Sequence, residues 1–134
     1  MKKIVVVDDS STVTSIYRNK LLLEGFEVHV AADGQAALFT ISQVKPDLVL
    51  LDLALPKISG LEVLRRLRGN PSFQTLPVIV LSGALSSDLI TQVWQAGATQ
   101  LLMKSVRTPK EVIEAVHHAL AETPIRSADE APVQ

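Results

Sequence analysis

The sequence predicts an α/β domain, a doubly wound parallel sheet of five strands with five helices, and three observations carry the prediction. Five short β-branched or Leu-rich runs alternate with five helical patterns over about 120 residues, as right-handed strand–helix–strand crossovers require. Three of those runs, IVVV at 4–7, LVLL at 48–51 and VIVL at 78–81, are apolar without alternation, the mark of strands covered by helices on both faces. Of the 134 residues 47% are hydrophobic, nearly all Val, Leu, Ile and Ala, which is enough for one packed core and excludes disorder for most of the chain.

The strand-forming runs are Lys3–Asp8, Glu27–Ala31, Asp47–Asp52, Pro77–Leu81 and Thr99–Met103. The first helix follows Ser10 and Ser11, either of which can cap it, carries Val13, Ile16, Tyr17 and Leu21 on one stripe, and stops at Gly25. The second opens at Asp33-Gly34, turns Ala37, Leu38, Ile41 and Val44 inward, and ends before Pro46. The third runs from Ser59 through Leu61, Leu64 and Leu67 to the break at Gly69-Asn70-Pro71. A fourth begins near Ser86-Ser87-Asp88 and buries Leu89 or Ile90, Val93 and Ala96 before Gly97. The fifth has the strongest start signal: Thr108 as cap, Pro109 in the first turn and Glu111 three residues after the cap, followed by the stripe Val112, Ile113, Val116 and Leu120. From Thr123 onward periodicity is lost, so an ordered domain over 1–122 and a flexible tail over 123–134 are expected.

Several functional classes are excluded at this level. No apolar run approaches the roughly 18 residues of a membrane span. The apolar start ends at Val7 against Asp8 and Asp9, unlike a secretory signal, so a cytoplasmic location is expected. With no cysteine there is neither a disulfide framework nor a thiolate metal site. A net charge of −1 lacks the basic footprint of a nucleic-acid binder. His29, His117 and His118 read as surface or packing residues, Arg65, Arg66 and Arg68 as a solvated helix face, and Trp94 as a packing residue.

Sites in open parallel sheets form beyond the carboxyl ends of the strands. Those ends carry Asp8 and Asp9, then Asp52, Ser82 and Lys104. Crowded carboxylates repel one another and call for a cation, and an all-oxygen set with open positions suits Mg²⁺. A metal, an ammonium, a hydroxyl and a carboxylate nucleophile together meet the demands of phosphoryl transfer to an aspartate. An acid inside LVLLDLAL also has little structural justification, because burying it unpaired is costly.

The motifs VVVDDS (5–10), AADGQAAL (31–38), PDLVLLDLALPKISGLEVLRRLR (46–68), LPVIVLSGA (76–84) and AGATQLLMK (96–104) stand in the order found in receiver domains of two-component response regulators, and from Lys2 to Ala121 the chain resembles that family. The resemblance implies a flavodoxin-like fold with strand order 2-1-3-4-5. It implies Asp52 as phosphoacceptor, Ser82 and Lys104 as the groups that bind the phosphoryl oxygens, and Asp8, Asp9, Asp52 and the backbone carbonyl of Ala54 as the Mg²⁺ site. Pro56 and Gly60 match the turn that shapes the loop after the acceptor. The implied partners are a histidine kinase or histidine phosphotransfer protein as donor, and a downstream protein on the face made by the fourth helix, fifth strand and fifth helix, near Leu85, Trp94, Leu101 and Leu102. A phosphorylation-linked homodimer is also compatible with that face, whereas nucleic acid and membrane are not expected partners. Such a domain is not an enzyme in the ordinary sense, although it takes part in its own phosphorylation and slow dephosphorylation. A tail of about a dozen residues is too short for an output module, so a single-domain regulator read by a separate protein is expected.

Two positions depart from the family pattern. Leu101 stands where an aromatic residue normally precedes the lysine, and Ser105 where a cis proline normally follows it. A cis Lys–Ser bond costs roughly 2.5–4 kcal/mol, so Lys104–Ser105 is expected to be trans, with a rerouted loop to Thr108. Leucine cannot rotate inward as the aromatic does, so atypical switching is expected, with a phosphorylation-independent interaction domain as the alternative. A hydrolase of the aspartyl-phosphate kind is disfavoured by Ala54, which stands where its general acid would be. A flavin module is disfavoured by Asp8 and Asp9, which repel phosphate.

Overall fold

The computed structural model describes residues 1–83 and 85–122. The strands are β1 (Lys3–Val7), β2 (Glu27–Ala31), β3 (Leu48–Leu51), β4 (Val78–Ser82) and β5 (Gln100–Met103), each within a residue of its expected bounds. They alternate with α1 (Ser11–Leu23), α2 (Gly34–Val44), α3 (Gly60–Arg68), α4 (Ser87–Gln95) and α5 (Pro109–Glu122). All four strand pairings are parallel and the order is β2-β1-β3-β4-β5. The tail expected over 123–134 lies outside the described residues.

The uninterrupted apolar runs are buried on both faces, as their lack of alternation implies. Val5, Val7, Val49, Leu51, Val78 and Val80 face α2, α3 and α4, while Ile4, Val6, Leu48, Leu50, Ile79 and Leu81 face α1 and α5. Helix starts follow their capping signals. Ser10, Asp33, Ser59 and Ser86 each accept a backbone N–H of the first turn, and Ser10 rather than Ser11 serves α1. At α5 the reciprocal box forms: the Glu111 N–H donates to Thr108 Oγ1 at 3.2 Å and the Thr108 N–H to Glu111 Oε1 at 2.8 Å.

The helix stripes need two corrections. On α1 the buried set is Thr14, Tyr17 and Leu21, and Ile16 is 40% exposed. Thr14 tolerates burial because its hydroxyl donates to the Ser11 carbonyl. On α4 only Val93 is fully buried, with Leu89 and Ala96 packed at the margin of the core. Among the described residues no helix is long and apolar enough to cross a membrane.

Register places the chemistry. Val7 is level with both Ala31 and Leu51, and Ser82 is level with Met103. The residues that follow, Asp8, Asp52 and Lys104, therefore leave the sheet together at one rim.

Candidate functional site

Asp8 and Asp52 are both nearly buried, at 4% and 6% exposure, while Asp9 beside them is exposed. Backbone bonds hold the two buried acids at the rim, the Asp8 N–H to the Ala31 carbonyl at 3.1 Å and the Asp52 N–H to the Val7 carbonyl at 2.9 Å. Carboxylate oxygens of Asp8, Asp9 and Asp52 all lie within 4.8 Å of one another. Lys104 crosses from β5 to meet them: its Nζ donates to Asp8 Oδ2 at 2.7 Å and stands 3.6 Å from Asp52 Oδ2. Ser82, 5% exposed, ends β4, and its carbonyl accepts the Lys104 N–H at 2.8 Å. The side chains of Asp8, Asp9, Asp52 and Lys104 thus meet at one place, with the Ser82 backbone tied to Lys104 beside them.

The electrostatics follow from this crowding. Burial and the neighbouring negative charge of Asp8 raise the Asp52 pKa above the usual carboxylate range. Lys104 and the amides of Ala54 and Leu53, which donate to the Asp52 carboxylate, limit that rise. Burial disfavours the Lys104 ammonium, but its hydrogen bond to Asp8 and the charges of Asp52 and Asp8 outweigh that, and its pKa is raised.

The loop after Asp52 is clamped from both sides. A Cβ at Gly60 would run into the Asp52 carbonyl oxygen, and one at Gly34 into the Ile58 carbonyl oxygen, so the loop packs against its own start and against α2. The Gly60 N–H closes it by donating to the Leu53 carbonyl at 2.9 Å. Across the site, no cis peptide bond occurs among the described residues, so Lys104–Ser105 is trans as expected. The following turn is closed by the amides of Val106 and Arg107, both donating to the Met103 carbonyl at 3.1 Å, and Lys104 still reaches both acids.

Sequence reasoning missed several contributors. Tyr17 packs beneath the acids, lining with Asp8 and Asp52 a cavity of about 10 Å³. Its phenol is pushed above its ordinary range by burial, with Lys104 opposing and Asp8 adding. The only signal was a polar atom on an inward helix position two turns after Asp8-Asp9. Asp33, identified as a cap, also stands 3.7 Å from Lys57 in the loop after the acceptor. His29 and His117 are not isolated: they meet Glu27 and Glu24, each at 2.7 Å.

These features have close parallels in known proteins. Residues 4–117 match the response regulator receiver domain. The DNA-binding response regulator MtrA of Mycobacterium tuberculosis is 34% identical over 119 residues, which is 89% of this chain and 50% of that protein. The transcriptional regulatory protein KdpE of the same species is 38% identical over 104 residues, 78% of this chain and 45% of that protein. The chain spans about half the length of the curated relatives it matches. Among solved structures, a CheY-like receiver domain protein of Methanospirillum hungatei superposes with a TM-score of 0.88 at 27% identity, covering 95% of this chain and 99% of that one. A putative response regulator of Chloroflexus aurantiacus does so with a TM-score of 0.82 at 32% identity, covering 90% and 98%. With the strand order, the rim and these matches in agreement, the chain belongs to the response regulator receiver domain family, the signalling domains of two-component systems.

Proposed function

We propose that this chain is a phosphoacceptor: Asp52 takes a phosphoryl group from the phosphohistidine of a histidine kinase or phosphotransfer protein, and the phosphorylated chain signals through protein–protein contact. The observation that carries this reading is the Lys104 ammonium held by Asp8 and Asp52 beside a three-carboxylate cluster. A carboxylate oxygen of Asp52 attacks phosphorus, the P–N bond to the donor imidazole breaks, and the imidazole leaves with the electron pair and gains a proton from solvent. Poor solvation of Asp52 keeps its carboxylate nucleophilic, and the amides of Ala54 and Leu53 orient it. Lys104 balances the charge of the phosphoryl oxygens, and the Ser82 hydroxyl donates to one of them.

An all-oxygen donor set of Asp8, Asp9, Asp52 and the Ala54 backbone carbonyl fits Mg²⁺, which favours carboxylates and retains several waters. Bound there, the ion would neutralise charge on the phosphoryl oxygens. The output face is α4, β5 and α5, where Trp94 is 49% exposed and Leu101 is half-buried against the α3–α4 side of the core. That surface suits a downstream protein partner or, after phosphorylation, a second copy of this chain, and signalling of this kind belongs in the cytoplasm.

Leu101 also favours a second reading, an interaction domain that works without phosphorylation, because an aliphatic side chain packed on the core has no ring to swing inward. Trp94 is the sole tryptophan and stands on the face in question. Adding Mg²⁺ and a small acyl phosphate is expected to change its fluorescence, and Asp52→Asn is expected to abolish the change. Phosphorylation with no change in Trp94 emission supports the second reading, and absence of phosphorylation overturns the first.

A further inference from the structure

On the opposite rim, where α3 and α4 end, lies a concentration of positive charge that phosphoacceptor chemistry does not use. The last turn of α3 carries Arg65, Arg66 and Arg68. Arg66 is neutralised by Glu62 one turn back, at 3.1 Å. Arg65 and Arg68 form no ion pair among the described residues. With Gly69, Gln92, Gln95 and Ala96 they line an open groove of about 450 Å³ between the two helices.

The two guanidiniums are held differently. Arg68 is anchored, with Nε donating to the Gly97 carbonyl at 2.9 Å and Nη1 to the Phe73 carbonyl at 2.8 Å, while Nη2 bonds to no acceptor among the described residues. Its charge is partly desolvated, and burial pushes its pKa down. Arg65 is exposed and makes one long contact, Nη2 to Gln92 Oε1 at 3.4 Å. Helix C-termini favour cations, and that, with the two carbonyls, accounts for Arg68. Arg65 shares that helix-terminus preference but makes no carbonyl bond among the described residues, so its charge faces Gln92 and the open groove with no ion pair there.

We propose that this groove docks an acidic segment of a partner protein, its carboxylates taken by Arg65 and Arg68 and its backbone amides by Gln92 and Gln95. Charge complementarity favours an acidic ligand, and an open groove between two helices gives access to a protein segment. The groove is open and polar, without the enclosed apolar walls of a small-molecule pocket or an aromatic surface on which a nucleotide base could stack. Arg68 is pre-organised by its two carbonyl bonds, and a guanidinium held this way loses little freedom on pairing with a carboxylate. Because the groove and Asp52 lie on opposite rims, both can be engaged at once.

The test is a titration of the ¹⁵N-labelled full chain with end-capped hexaglutamate, with hexaglutamine and inorganic phosphate as separate arms. The side-chain amides of Gln92 and Gln95 and the Nε–H signals of Arg65 and Arg68 are the readout. Expected are saturable shifts at those four groups with hexaglutamate, weakened by added salt. Arg65→Gln and Gln95→Glu, both at exposed positions, should each weaken binding by about fivefold or more. Asp52→Asn should bind unchanged, which separates failure here from failure of the phosphoacceptor reading. Equal binding of hexaglutamine, shifts centred elsewhere, indifference to Arg65→Gln, or saturation by phosphate as readily as by hexaglutamate would overturn the proposal. Binding that appears only when the tail acids are neutralised, by Asp129→Asn with Glu130→Gln, assigns the groove to the chain's own tail and overturns it too.

Discussion

Asp52 is a buried acid beside a second buried acid, and among the described residues Lys104 is the one cation paired with them. Burial and the Asp8 charge raise its pKa in the folded protein above the unfolded value near about 3.9, so ionisation costs the fold stability. That cost is absent below the unfolded pKa and complete above the raised folded one. Asp52→Asn is therefore expected to stabilise the protein by about 1 kcal/mol at pH 7, the gain fading as pH falls toward 4, as urea denaturation would read it. The lost attraction to Lys104 is the smaller effect, because at 3.6 Å it is no hydrogen bond and Lys104 keeps Asp8 at 2.7 Å. A variant no more stable than the parent at pH 7 contradicts this balance. Lys104→Ala has the opposite sign. Removing the only cation paired with Asp8 or Asp52 among the described residues should cost about 2–3 kcal/mol, with part recovered on adding Mg²⁺. At this scale Asp8, Asp52 and Lys104 were legible because acids and a lysine at the ends of apolar runs have few structural reasons to be there. Tyr17 was not, because an aromatic residue on an inward helix stripe looks the same whether or not its hydroxyl points at a site.

At the scale of elements, the strand-to-helix segment that follows Asp52 fixes the acceptor. Gly60 presses on the Asp52 carbonyl oxygen, and backbone cannot give way there as the tip of a flexible side chain can. Gly60→Ala is thus expected to cost about 3 kcal/mol or more and to slow phosphorylation of whatever folded protein remains, measured by denaturation and by phosphoryl uptake at a fixed time. Near-parental stability would show that the loop yields. Helix ends were readable because Ser10, Asp33, Ser59, Ser86 and Thr108 carry a local chemistry that does not wait on the rest of the fold. The inward faces were less so. Thr14 displaces Ile16 from the buried stripe of α1 because the sheet beneath decides which face of the helix turns in, and Thr14 can satisfy its hydroxyl locally. Periodicity reports a stripe's existence better than its edges.

For the whole molecule, alternation of strands and helices implies a parallel sheet but leaves the strand order open. The order β2-β1-β3-β4-β5 came from the family resemblance, whereas the convergence of Asp8, Asp52 and Lys104 on one rim was already implied by their places at the carboxyl ends of parallel strands. What no local pattern shows is how α3 and α4 lie side by side, and hence that Arg65 and Arg68 share a groove with Gln92 and Gln95. The phosphoacceptor role of Asp52 is the claim on which the rest depends. Intact-mass analysis of the full chain after incubation with Mg²⁺ and a small acyl-phosphate donor tests it most directly. The expected result is a gain of about 80 Da, one phosphoryl group, that maps to the peptide containing Asp52, requires Mg²⁺, and is lost in Asp52→Asn. No gain with the parent chain, or the same gain with Asp52→Asn, would contradict it.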